Sequence, residues 1–443
     1  MKTGKKTGRI PELDGLRVLM ILIVSWFHIW QQSWLEPSFE IGESWISLDF
    51  LVRSGYVWVD GTILLSAFLL YLPLARKKDG DPFPIRDFYL RKARRLLPAY
   101  WFIILAFFLG ICLPWGLYQG NGPYMVKDLF THFTLIFPYW RDTYIYTPLG
   151  AASWTLSVVA QGYLLFPLIA KCIRKHPAAT LLCMAGSAMA FRAWCVWGLT
   201  DYSMVVNTFV NFLDIYALGF GCAMLYVRFE QRAGAGAPKT GRAGQGTAPG
   251  GAQPAGDPKP GSPGQGTAPN GAQPEQSRKR RLLCQAAATV IFIGSVIGAL
   301  ELQRVQSATP GHPELQRMQM LLRPAFALCF AGMILSAPFS LKPLRFLLGN
   351  RVTAFLAGIS MNYYLTHQTL AVHMRRIGFP ASVSDSPNMA GEQPWQTQYT
   401  LLAFGIPLIV SILITYLIEK PAARFLEKRT GRRSSASAAR KEQ

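Results

Sequence analysis

Negative charge is scarce in this chain. Its 443 residues hold 24 Asp and Glu against 45 Lys and Arg, a formal net charge of +21, and only 16% of residues are charged at all. A chain so poor in charge and 51% hydrophobic does not read as a string of soluble domains. Long apolar runs recur along it, separated by short basic segments, which is the pattern of an integral membrane protein. Paired cysteines are missing too. Cys112, Cys172, Cys183, Cys195, Cys222, Cys284 and Cys329 lie in or beside apolar segments and form no CxxC pair. That argues against a disulfide framework or a zinc site and leaves small packing residues; no metal is expected. No module of interleaved basic and aromatic residues accompanies the excess of positive charge, so nucleic acid is not an expected partner. A small-x-small cleavage site is likewise absent after the first apolar run, and Asp14 and Arg17 stand just ahead of it. The first span is therefore expected to be retained, not removed as a leader.

What the chain has is apolar length. Candidate spans are 17–35, 54–75, 96–114, 151–170, 178–198, 208–227, 282–301, 321–339, 353–373 and 398–418, each near the roughly 20 residues that a ~30 Å hydrocarbon core requires. A shorter apolar piece, 125–138, contains Lys127, Asp128 and His132 and is expected to be re-entrant or interfacial. Ten spans with the N-terminus inside put the basic segments 76–95, 171–177, 228–281, 340–352 and 419–443 all on the cytoplasmic side. The fold class is then an all-α bundle of about ten transmembrane helices with both termini cytoplasmic. Aromatic stretches near 115–124, 137–146 and 374–397 face outward, as an interfacial belt or as a platform for a sugar or lipid headgroup.

Residues 231–281 differ in kind. They are rich in Gly, Pro, Ala and Gln, and Gly-Gln-Gly-Thr-Ala-Pro occurs twice, at 244–249 and 264–269. Such composition cannot bury a core and is expected to be disordered. It divides the chain into a first membrane part, 1–230, the linker, a second membrane part, 282–427, and a basic tail, 428–443.

Several polar groups stand inside these apolar runs. Arg17 and His28 are eleven residues apart on the first span. At ~100° and ~1.5 Å per residue they share a helix face and lie about 16 Å apart in depth. Ionisable residues at such depths are costly and usually functional. The run Arg91-Lys92-Ala93-Arg94-Arg95 puts four cations in five positions, either as an inside-positive anchor or as an anion site, since guanidinium groups grip phosphate with paired hydrogen bonds. Asp60, in the outer half of the second span, is placed to orient the His28 ring or to be wetted at the surface. Trp154, Ser157, Gln161 and Tyr163 suggest a lined cavity. His367, among Ser360, Asn362, Tyr364 and Gln368, reads either as a second site histidine or as a structural hydrogen-bonding group.

Together these segments resemble the membrane-integral acyltransferase-3 family, whose members O-acylate bacterial cell-envelope glycans. Pro11-Glu12-Leu13-Asp14-Gly15-Leu16-Arg17 followed by His28 resembles the family's Arg-x10-His motif. Val59-Asp60 through Leu65-Ser66-Ala67-Phe68 resembles its second-span segment. Arg95-Leu96-Leu97-Pro98 ends a run like its R-x-x-R motif, filled here by Arg91/Arg94 or by Lys92/Arg95. Trp154-Thr155-Leu156-Ser157-Val158 resembles its W-S-L-S-V-E segment, with Val159 where the glutamate is expected. Residues 360–367 and Tyr416-Leu417-Ile418-Glu419-Lys420-Pro421 resemble its closing segments. The resemblance implies a cytosolic acyl-CoA donor, commonly acetyl-CoA, and no bound cofactor. It implies a glycan or lipid-linked sugar acceptor and a multi-pass location in a bacterial cell membrane among its lipids; with so few residues after the last span, the hydrolase-like domain that some relatives carry there is not expected. His28 would be the catalytic histidine with Arg17 and Asp60 beside it, Arg91, Lys92, Arg94 and Arg95 would meet the acyl-CoA phosphates, and Trp154, Ser157, Gln161, Tyr163 and His367 would line the acceptor cavity. A transporter or flippase of an acylated or lipid-linked molecule, and a catalytically silent relative, are the alternatives.

Overall fold

The computed structural model describes residues 9–77, 83–235 and 274–427. The middle of the expected linker, 236–273, and the basic tail lie outside the described residues. Helix α1 spans Glu12–Ser33. It is followed by a hairpin of two four-residue strands, β1 (Ser38–Ile41) and β2 (Ser44–Ser47), and by the short α2 (Asp49–Arg53). Then come α3 (Trp58–Ala75), α4 (Ile85–Phe107), α5 (Gly122–Phe133), α6 (Arg141–Tyr144), α7 (Trp154–Lys175), α8 (Pro177–Gly198) and α9 (Leu213–Ala235). Beyond the linker lie α10 (Pro274–Ser307), α11 (His312–Ser336), α12 (Lys342–Leu348), α13 (Arg351–Arg376) and α14 (Trp395–Leu413). Proline stands just inside the start of α5, α8, α11 and α12, where its missing N–H removes no intrahelical bond.

Nine helical stretches among the described residues are long and apolar enough to cross a membrane, among them Glu12–Ser33, Gly55–Ala75, Ile85–Cys112, Arg278–Ser307 and Trp395–Glu427. The expected span 353–373 is not one of the nine. It falls in α13, whose 26 residues would reach roughly 39 Å but which carries Ser360, Asn362, Thr366, His367 and Thr369 buried against its neighbours. Its polar face is turned into the bundle, so its mean hydropathy understates its burial. The piece expected to be re-entrant is α5, at 12 residues too short to span. Helices α9 and α10 run past their apolar stretches into both ends of the expected linker.

The main core is built by α1, α3, α7, α9 and α11. Helix α1 packs on α13, α3 and α14, and α3 packs most extensively on α9. That last crossing is close because Gly219 faces α3: a Cβ there would lie 2.7 Å from Ala67 Cβ and 2.8 Å from the Leu64 carbonyl oxygen. Two ion pairs join helices at one end of the bundle. Arg76 at the end of α3 pairs with Glu230 near the end of α9 at 2.9 Å, and Arg345 of α12 pairs with Glu12 at the start of α1 at 2.8 Å. The opposite end carries the hairpin, α2, α5, α6 and the turn from α10 to α11, and a cavity opens among several of these elements.

Candidate active site

Helix α1 carries His28 in its last two turns. The imidazole Nδ1 lies 3.1 Å from Gln31 Oε1 and 3.2 Å from Gln368 Nε2. The Gln368 amide cannot turn over freely, because its Oε1 accepts the backbone N–H of Ala152 at 2.8 Å. Gln368 thus offers a donor and Gln31 an acceptor to the same ring nitrogen, which fixes the ring in either tautomer. Nε2 of His28 has no hydrogen bond to the described residues. The His367 ring packs 5.3 Å from it, centre to centre. His367 Nδ1 donates to the Tyr364 carbonyl at 2.7 Å, so its Nε2 is unprotonated in the neutral ring. That Nε2 is buried without a partner.

His28 and Gln368 lie on the wall of a cavity of about 780 Å³, together with Trp30, Tyr56, Trp154, Asn207 and Gln319. Its elements come from both sides of the linker: α1, α6, α7, the segment before α9, the turn Ser307–Gly311, α11 and α13. Asn207 Nδ2 donates to the Tyr144 hydroxyl at 2.7 Å. Burial pushes that phenol up to about 12, so it stays protonated at neutral pH.

The cationic run sits apart from this cavity. Arg95 of α4 and Tyr163 of α7 are electrostatic neighbours of Arg17 on α1. The Lys92 ammonium stands 4.3 Å from the centre of the Tyr163 ring. Arg17, Lys92 and Arg95 therefore converge around one tyrosine, with Arg91 exposed and Arg94 half-buried on the same helix.

The other expected site residues go elsewhere. Asp60 makes no bond to His28; its Oδ2 takes the Arg323 Nε at 3.0 Å, both side chains being buried. The Arg323 Nη1 also donates to the Val206 carbonyl at 3.0 Å, and nearby Arg192 grips Asp214 with both Nη atoms at 2.8 and 2.7 Å. Ser157 donates to the Leu135 carbonyl at 2.5 Å and accepts from Gln161 at 3.1 Å, while Tyr139 donates to Gln161 at 2.7 Å. Those two residues tie α7 to the segment after α5 and do not line the cavity. Of the expected cavity residues, Trp154 lines it, His367 backs His28, and Tyr163 belongs to the cationic cluster.

Sequence reasoning passed over Gln31 and Arg323 and named Gln368 only as a polar neighbour of His367. Gln368 directly follows His367, and Arg323 is a cation at the edge of an apolar run, which calls for a buried carboxylate partner. No group of three or more His, Cys, Asp or Glu side chains among the described residues is arranged to hold a metal.

A multi-pass helical membrane protein with a histidine on a helix that runs from a cationic cluster at one end of the bundle to a cavity at the other is the class that fold and site define. The chain belongs to the acyltransferase-3 family: the family's acyltransferase-domain model matches residues 10–419. Among curated proteins it is similar to a protein of Staphylococcus aureus (strain COL) named as an O-acetyltransferase, 26% identical over 175 residues, 37% of this chain and 25% of that protein. It is also similar to the acyltransferase MdmB of Streptomyces mycarofaciens, 28% identical over 185 residues, 41% of this chain and 45% of that protein. The matches thus span less than half the length of either relative. No solved structure matches the chain.

Proposed function

We propose that this protein is an O-acyltransferase of a bacterial cell membrane, moving an acyl group, acetyl in the simplest case, from cytosolic acyl-CoA to a hydroxyl of an envelope glycan or lipid-linked sugar. The observation that carries this reading is the setting of His28: Nδ1 held by two amides, Nε2 free, a cavity beside the ring. The acyl-CoA phosphates dock on Arg91, Lys92, Arg94 and Arg95, with Arg17 completing that cluster. Arg17 lies about 16 Å along α1 from His28, too far to touch the same carbonyl, so it holds the donor and does not stabilise the oxyanion. At the ring, Nε2 accepts the proton of the acceptor hydroxyl as its oxygen attacks the thioester carbonyl. The CoA thiolate leaves, and the imidazolium returns the proton to it. Asp60 contributes through Arg323 to the shape of the site, not to the proton transfer.

The supporting topology counts α13 as a tenth span and sets both termini in the cytoplasm, which brings the cationic cluster to the donor side and the cavity to the acceptor side. The test is transfer of labelled acetyl from acetyl-CoA to membrane glycans by protein expressed to wild-type levels. His28→Ala should lose about 10²–10⁴-fold in rate; transfer at the wild-type rate would overturn the reading.

A further inference from the structure

The cavity beside His28 has a composition that none of the comparisons address. No Asp, Glu or Lys among the described residues lines it. Arg53, at its edge, is already paired with Asp49 at 2.6 Å and Glu36 at 3.3 Å. Apart from histidines and tyrosines, the remaining polar lining is neutral: five amides, Gln31, Asn207, Gln316, Gln319 and Gln368, and the hydroxyls of Ser307 and Thr309. The indoles of Trp30 and Trp154 supply apolar wall. Two of the lining atoms are buried without a protein partner: the donor Trp30 Nε1 and the acceptor Asn207 Oδ1. The amide of Asn207 is oriented by its bond to Tyr144, so its oxygen is the atom that is left over.

We infer that this cavity takes an uncharged, polyhydroxylated ring, and that Trp30 Nε1 and Asn207 Oδ1 bind its hydroxyls. The inference rests on the acyl-transfer reading only in taking the ring as the acceptor. A hydroxyl both donates and accepts, so a polyol satisfies a mixed set of amide, indole and hydroxyl partners at once. A volume of about 780 Å³ is of the size that binds small organic ligands, which range over ~300–1,000 Å³. A carboxylate or an ammonium brought into this lining would be desolvated with no free counter-charge. An acyl tail would leave the amides without partners.

The test uses the purified full-length chain in lipid nanodiscs and three matched probes: methyl glucoside, its glucuronate counterpart and its glucosamine counterpart. Saturation-transfer NMR should show the neutral ring bound at least ~10-fold more tightly than either charged ring. Asn207→Asp should move the preference toward the glucosamine probe by a similar factor. Equal or tighter binding of a charged ring by the wild-type chain, or no binding of any of the three, would overturn the inference. Binding of the neutral ring without acetyl transfer to it would leave the inference standing and overturn the catalytic reading. Transfer to the charged rings in preference would do the reverse.

Discussion

In the proposed reaction, His28 would owe its suitability to two glutamines. A histidine in an apolar span with both nitrogens engaged would be inert, and one with neither engaged would rotate. Gln31 and Gln368 hold Nδ1 and leave Nε2 open. Gln368→Ala should therefore lower kcat by roughly 10-fold with little change in the acyl-CoA KM, read by steady-state transfer with varied donor. Asp60 is the contrasting case. Its partner Arg323 is fully buried, so Asp60→Asn strands a cation and should cost about 3–5 kcal/mol of stability. Asp60→Asn combined with Arg323→Met should recover much of that loss in thermal unfolding. A loss of kcat in Asp60→Asn without a loss of stability would return Asp60 to the chemistry. The sequence shows that Arg17 and His28 lie on one helix face, because that follows from helical period alone. It cannot show which acid meets which base, because Asp60 and Arg323 are 263 residues apart and only the packing of α3 on α11 joins them.

At the scale of elements, apolar length made the long helices legible, and the polar stripe of α13 did not hide it. The β1–β2 hairpin was not legible, since its strands are four residues each and β2 sets Trp45 beside Ile46 without alternation. The end of α9 and the start of α10 were also misplaced, as the last turn of the one and the first turns of the other contain too little apolar sequence to register. Glycine use marks the close crossing of α3 and α9. Gly219→Leu would force a side chain into α3 where even a Cβ is too close, and overpacking of this kind should destabilise by about 1–3 kcal/mol, seen as a lowered Tm. The cation run on α4 makes a different prediction. Arg95→Ala should weaken acyl-CoA binding by ~1.5–3 kcal/mol, the worth of a charge-assisted hydrogen bond, raising KM about 10- to 100-fold. The thermal stability of this exposed position should be unaffected.

Across the whole molecule, the proposed function rests on a separation of the cationic cluster from the cavity. The Arg17, Lys92 and Arg95 cluster lies at one end, the cavity with its neutral amides opens at the other, and α1 runs between the two with a residue in each. The chain on either side of the linker contributes to the cavity, so the site needs both membrane parts even though the cationic cluster lies wholly within the first. The direct test of this account is acetyl transfer in proteoliposomes with the acetyl-CoA confined to the face that bears the α4 cations and a neutral glycoside confined to the other. The account predicts labelled glycoside from the wild-type protein and none above background from His28→Ala; equal labelling by both proteins would contradict it.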